Sequence, residues 1–550
     1  MITARRAARL LPQRSDYADV GRSWRRDALA GVTVGVVAMP LALAFGISSG
    51  VGAAAGLVTA VVAGVVAAVF GGSHVQVSGP TGAMAVVLAP IVAAYGIGSV
   101  ALVTVLAGLI VLAAGITGLG RAVTFIPWPV IEGFTLGIAT IIFLQQVPAA
   151  FGQTGQEGQR PLIAAWRVAT SPDWSTAGWS LGVVALAAAL MIGLPRLHRS
   201  IPGSLLAVVA ATILVGVLAV PVARIGALPS HLPTPVLPHA DLGAIQPLLG
   251  AALAIAALAA IESLLSARVA ATMSPTGPYD PDRELVGQGL ASVASGVFGG
   301  MPATGAIART AVNVRSGART RLASIVHSVL LLGVVYLATG PVSAIPLAAL
   351  SAVLMVTSFR MISAGTISKI MRSTRSDALT FVLTAVVTVC FDLVEAVEIG
   401  VLVAAFFALR TVARRSSVHR EELPAPPQPG DQHIALLRLD GAMFFGAAER
   451  ISNVITDADH HDIRVVVIRM SQLGMLDATG AHTLARIVDD LEARGITVIV
   501  KGVQPDHLPL LTAVGVLESL RHENHLIDSL DDAVAHARAH AVAPPRATRN

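Results

Sequence analysis

The chain has 550 residues, of which 54% are hydrophobic and only 13% charged, and its mean hydropathy is +0.73. A soluble domain carries about 25% charge, so the composition excludes an ordinary soluble protein and points to a multi-span helical membrane protein. The net charge of +5 is explained by basic residues at helix ends, where orientation needs them. It is not a nucleic-acid signature, and the single cysteine, Cys390, excludes an intrachain disulfide.

Residues 1–24 carry Arg5, Arg6, Arg9, Arg14 and Arg22 over a long stretch, with no small-residue cleavage site after the first apolar run. They read as a cytoplasmic segment, not as a cleaved signal. A crossing helix needs roughly 20 apolar residues, and about 14 candidate segments follow between Ala28 and Leu409. With the N-terminus inside and two sets of seven crossings, every second connection is basic. These are Arg121, the Arg196/Arg199 turn, Arg268, the Arg315/Arg319/Arg321 cluster, Arg360/Lys369/Arg372/Arg375 and Arg410/Arg414/Arg415. The opposite connections, around 153–176 and 224–246, carry few basic residues. This asymmetry predicts a multi-pass protein of the cytoplasmic (inner) membrane with both termini in the cytoplasm.

The count works only if one motif, written twice, forms a half-membrane dip each time. Phe70-Gly71-Gly72 leads into Ser78-Gly79-Pro80-Thr81-Gly82-Ala83, and Phe298-Gly299-Gly300 leads into Pro302-Ala303-Thr304-Gly305-Ala306. A broken span is tolerated in hydrocarbon only where it is buried in protein or lines a polar cavity. Paired breaks in two halves of a chain point to a transporter's substrate site. Half-helices are predicted over about Pro80–Ala94 and Thr304–Val314, running in opposite directions as an inverted repeat requires. The transport domain then covers 25–415, with repeats of about 25–238 and 244–414.

Each half-helix N-terminus offers unpaired N–H groups and about +0.5 of a charge, and two such ends together form an anion site. Candidate substrate-binding residues are Ser78, Gly79, Pro80, Thr81, Gly82, Thr304, Gly305, Ala306, Ile307 and Ala308, with Phe45 of the interrupted first span as a wall. The competing reading, in which Gly and Pro only allow close helix packing, does not account for two copies in opposite senses. Glu262 lies in an apolar stretch, where an ionised carboxylate costs roughly 2.5–3.5 kcal/mol. It is the candidate proton carrier, against the alternative of a hydrogen-bonded structural acid. Arg309, early in the second half-helix, either strengthens the potential under the anion or pairs with Glu262.

Residues 416–431, Pro-rich over Glu421–Gly430, read as a linker. Strand-like His433–Leu439, Arg464–Arg469 and Ile496–Val500 alternate with a helical pattern over Ala481–Arg494. That describes a small cytosolic α/β domain over 432–541, followed by a tail, 542–550. Asp477-Ala478-Thr479-Gly480 opens a helix, either as an N-cap or with Thr479 as a regulatory phosphate acceptor. His460-His461-Asp462 reads as a solvated loop, and no metal site or cofactor is expected. The chain shows no nucleophile–base pair, metal cluster or phosphate loop, which argues against an enzyme.

Several of these stretches resemble the SulP (sulfate permease) anion transporters: Pro40–Phe45, Gln76–Gly82, Ile261–Leu265, Glu284–Gly289 and Ala308–Asn313. The C-terminal region is similar to their STAS domain. The resemblance implies seven-plus-seven inverted repeats and a core domain that moves against a gate domain. It also implies a homodimer, a cytosolic partner for the STAS domain, and anion binding between the half-helices. Glu284–Gly289 and Ile307–Arg309 are most similar to the proton-coupled C4-dicarboxylate subgroup. The first span and Ser78–Gly82 also resemble the sodium-coupled bicarbonate subgroup. Sodium-coupled members look to have Asp in place of Glu262 and Thr in place of Ile307. Isoleucine offers sodium no oxygen, so proton coupling is the expectation. The resulting reading is a proton-coupled transporter of a small anion, with C4-dicarboxylate ahead of sulfate and bicarbonate. The alternatives are an uncoupled exchanger or channel of the same fold, and a membrane-anchored STAS signalling protein.

Overall fold

Long apolar runs satisfy their backbone inside a bilayer only as helices, and this chain forms them throughout its first 400 residues. The computed structural model describes residues 9–121, 127–153, 160–197, 202–238, 242–390, 393–456, 462–520 and 522–542. It divides into two units, Met1–Val401 and Leu402–Asn550.

The first set of crossing elements begins with α1 (Val20–Ser48) and α2 (Ala53–Phe70). Strand β1 (Ser78–Gly79) then runs into α3 (Gly82–Tyr95), followed by α4 (Ser99–Thr117) and α5 (Trp128–Ala150). The short α6 (Pro161–Thr170) precedes α7 (Trp174–Leu197) and α8 (Gly203–Val217). The second set repeats the order: α9 (Leu242–Met273), α10 (Pro281–Val297), strand β2 (Thr304–Gly305) with α11 (Ile307–Arg315), and α12 (Leu322–Leu337). After α13 (Thr339–Ser343) come α14 (Leu347–Met361), the short α15 (Ala364–Met371), α16 (Arg375–Cys390) and α17 (Leu393–Arg415).

Among the described residues, seven helices are long and apolar enough to cross a bilayer. At 1.5 Å per residue, the 14-residue α3 and the 9-residue α11 reach about 21 and 14 Å, well short of the roughly 30 Å core. Both half-helices start later than the sequence pattern predicts, because the residues ahead of them are held extended as β1 and β2. Small residues let neighbouring helices touch. A Cβ on Gly108 of α4 would stand 2.7 Å from the Val293 nitrogen and 2.8 Å from the Gly289 carbonyl oxygen of α10. The helices pack mainly in two groups, α1, α2, α4 and α9–α12 in one, and α5, α7, α8, α14 and α16 in the other.

In the second unit, strands β3 (Ser417–Glu421), β4 (Ile434–Met443), β5 (Val465–Arg469), β7 (Thr497–Lys501) and β8 (Leu526–Ile527) lie side by side in that order, with β6 (Leu473–Leu476) pairing β4. All pairs are parallel except the β3–β4 edge. Side chains alternate between the faces of the sheet. Leu437, Val466, Ile468 and Val498 face α18 (Ala448–Thr456), α19 (Ala478–Ala493) and α20 (Leu508–Val514). Leu436, Val465, Val467 and Ile499 face Ala533, Ala537 and Ala541 of α21 (Leu530–Val542). The linker expected over 416–431 is shorter, starting after Glu421. Ser417–Glu421 form β3 instead, and Glu421 accepts from Arg438 at 2.6 Å and Arg469 at 2.8 Å. His460 and His461 lie outside the described residues.

Candidate anion site

A broken span leaves polar backbone groups to satisfy in a place without water, and here side chains of the second half serve both breaks, joined at the second by Thr59 of the first half. Glu284 of α10 accepts from the amides of Gly72 at 2.8 Å and Ser73 at 3.1 Å. Asn313 donates to the Val75 carbonyl, Ser324 to that of Gln76, and Thr310 accepts from the Val77 amide. In return Thr59 of α2 accepts from the Met301 amide at 2.8 Å. Ser292, Ser295 and Ser263 complete the second break through Ala303, Met301 and Gly305.

The two breaks then meet. β1 and β2 pair antiparallel, with Ser78 opposite Gly305 and Gly79 opposite Thr304, and the Ala306 amide donates to the Val77 carbonyl at 2.9 Å. A Cβ at Gly305 would overlap the end of the Gln76 side chain. The N-termini of α3 and α11, capped by Thr81 and Ala306 without side-chain hydrogen bonds, are thereby brought to one place.

Glu262 of α9 sits at that junction. Its Oε2 accepts from Thr304 at 2.7 Å and from Thr81 at 2.9 Å, and the two hydroxyls lie 3.1 Å apart. One carboxyl thus touches the N-cap of α3 and the strand β2 that leads into α11. Arg309 is buried and does not pair with Glu262; it crosses to the other half and donates to the Pro80 carbonyl. Its Nη1 has no hydrogen-bond partner and lies toward Gly79. The guanidinium therefore adds positive potential beneath the first break.

The other candidates fall around this centre. Phe45 of α1 and Ile142 of α5 pack against Gly82, so residues from both helix groups meet at the start of α3. Ile307 and Ala308 open the first turn of α11 with exposed side chains. The Ser78 hydroxyl accepts from Gln288 at 2.6 Å, and that amide also donates to Glu284 at 2.9 Å. A cavity of about 700 Å³, lined mainly by apolar residues such as Leu102, Val236 and Phe298, lies apart from this centre.

Glu284, Gln288, Thr59, Thr310 and Asn313 are the site residues that sequence reasoning missed. Their signal was polar side chains at intervals along otherwise apolar helices. In the second unit, Asp477 is the helix cap, accepting from the Gly480 amide at 2.7 Å, and Thr479 is exposed in the first turn of α19.

Comparison with known proteins places this geometry. The sulfate permease profile matches residues 24–384 and the STAS domain profile matches residues 425–533. The chain belongs to the sulfate permease family. It is 31% identical over 517 residues to YvdB of Bacillus subtilis, provisionally named a sulfate transporter, covering 93% of this chain and 97% of that one. It is 30% identical over 510 residues to the bicarbonate transporter BicA of Synechocystis, covering 88% of each. The solved murine Solute Carrier 26 family member A9 anion transporter, in its inward-facing state, superposes with a TM-score of 0.83 over 94% of this chain and 91% of its own, at 18% identity. The BicA transmembrane domain superposes with a TM-score of 0.62 at 30% identity, over 70% of this chain and 98% of its own. The chain is therefore a multi-pass membrane protein of an anion-transporter family with a C-terminal STAS domain, and not an enzyme.

Proposed function

We propose that the protein is a proton-coupled transporter of a small divalent anion, sulfate first, which binds between the N-termini of α3 and α11. The observation that carries this reading is Glu262 bridging Thr81 and Thr304. Two half-helix ends contribute about +0.5 each and Arg309 contributes a full charge, a total that matches a dianion when Glu262 is protonated. An ionised Glu262 would oppose the anion by about 4 kcal/mol per unit charge at roughly 4 Å and intermediate dielectric. Proton and anion therefore bind together, which is symport.

The names of the relatives support sulfate and bicarbonate. C4-dicarboxylate, which the sequence motifs favour, is also a dianion and stays as a competitor in the same test. Sodium coupling is disfavoured, because Ile307 at the first turn of α11 offers no oxygen ligand. Transport proceeds by movement of the helix group that carries Glu262 against the group that carries Ile142. The protein works as a homodimer in the cytoplasmic membrane with both termini inside. The STAS domain receives a cytosolic partner, and the exposed Thr479 suits a regulatory phosphate near a helix N-terminus.

The test is uptake of labelled sulfate, bicarbonate and fumarate into proteoliposomes under imposed proton and sodium gradients. Sulfate accumulation driven by an inward proton gradient is the expected result. Indifference to the proton gradient would leave an uncoupled exchanger or channel, and no uptake of any anion would leave the signalling reading.

A further inference from the structure

The STAS unit contains a cluster of imidazoles that anion transport does not use. His536 and His540 are four residues apart on α21, which places them on one face of the helix. His525, at the end of the 3₁₀ turn Glu523–His525 ahead of β8, packs against both, with ring centroids 5.4 Å from each. The His536 and His540 rings are 4.8 Å apart. One nitrogen from each of the three rings lies within 4.8 Å of the others. His522 meets His525 edge-on at 5.5 Å and is exposed.

We propose that His525, His536 and His540 form a binding site for a divalent transition metal of the zinc type, with His522 or water in the fourth position. Burial supports this. His525 is 1% exposed, and neither of its ring nitrogens makes a hydrogen bond of normal geometry; the buried Nε2 of His536 also has no partner. Buried polar atoms are rarely left unpaired without a reason, and a metal ion would take one nitrogen from each of the three rings. Imidazole donors suit zinc, nickel or copper and not magnesium or calcium. Zinc–nitrogen bonds of about 2.0–2.1 Å in a tetrahedron put the donors roughly 3.3 Å apart, so the rings need only a small inward rotation. The intervening cation does not interfere, because Arg538 is turned away and pairs with Asp431 at 2.8 Å. His536 and His540 lie beyond the residues matched by the STAS profile. The site therefore clamps α21 to the turn before β8.

The experiment uses the full-length protein purified without a histidine tag, stripped with chelator, and titrated with Zn²⁺ against a weak competing chelator. Co²⁺ absorption reports the geometry. One equivalent of Zn²⁺ is expected, with tetrahedral Co²⁺ bands, a raised unfolding temperature of the STAS unit, and no comparable Mg²⁺ or Ca²⁺ uptake. The double variant His536→Gln/His540→Gln removes partly exposed side chains and is expected to keep its circular dichroism and its sulfate uptake. It should lose Zn²⁺ affinity at least tenfold, since even outer-shell changes cost about 10–100-fold. Absence of a stoichiometric site, or equal Zn²⁺ binding by the folded double variant, overturns the proposal.

Discussion

Replacing Glu262 by Gln keeps the shape of the side chain and removes its ability to carry a proton. The amide oxygen can still accept from Thr304 and Thr81, which now donate at 2.7 and 2.9 Å. Those bonds drop from charge-assisted to neutral, about half the strength, so the junction stays assembled. The energetic consequence lies in coupling. As the proton carrier, the Glu262 carboxyl moves one proton per cycle, and each pH unit of gradient supplies 1.36 kcal/mol, or about tenfold accumulation. Proteoliposomes clamped at zero membrane potential, with the outside one unit more acidic, should therefore concentrate labelled sulfate about tenfold with the native protein. The Glu262→Gln variant should equilibrate sulfate without concentrating it, and sulfate–sulfate exchange should continue. A variant that still concentrates sulfate tenfold would refute the assignment of the proton to Glu262.

Thr304→Val removes a hydroxyl that can turn from the protonated Glu262 to the bound anion. A hydrogen bond to a charged group is worth about 1.5–3 kcal/mol, so the KM for sulfate should rise about tenfold to a hundredfold while coupling persists. Glu284→Ala strands the buried amides of Gly72 and Ser73, at about 1–3 kcal/mol each; the unfolding temperature in detergent should fall, and Glu284→Gln should lose less. Gly305→Ala would push the Gln76 amide off the Ser263 carbonyl to which it donates, and uptake should fall at normal expression. Burial alone would raise the Asp16 carboxyl, but the hydrogen bond from Arg283, the Gln13 amide and the charges of Arg321 and Arg283 outweigh it and hold it below its ordinary value of 3.8. The contact of Asp16 with Arg283 at 2.6 Å should therefore be at full strength above that value and be lost only as pH falls through the lower folded one. Limited proteolysis at Arg14–Tyr17 against pH measures this, and Asp16→Asn should expose the segment at neutral pH.

The two breaks were legible because Gly and Pro in an apolar run contradict a continuous helix, and the contradiction occurs twice. Glu262 was legible because a carboxylate inside a span is costly. What stayed hidden was pairing. Glu284, Asn313 and Ser324 each serve a backbone group more than 200 residues away in the chain, and no local pattern marks a side chain whose partner is a distant carbonyl or amide. Arg309 looked able to pair with Glu262, yet it reaches the Pro80 carbonyl of the other half, a choice made by the β1–β2 register. β3 was hidden for another reason. Five residues at a sheet edge beside a Pro-rich stretch carry too little hydrophobic alternation to stand out, and Glu421 is held by arginines from two other strands.

The most direct test of the account is the position of the anion itself. Crystals grown or soaked with selenate, a sulfate analogue with a strong anomalous signal, should show one anomalous peak within hydrogen-bond reach of the first-turn amides of both α3 and α11, beside Thr81, Thr304 and Glu262. A peak elsewhere, or selenate binding undiminished in Gly305→Ala, would contradict a site built from the two broken spans.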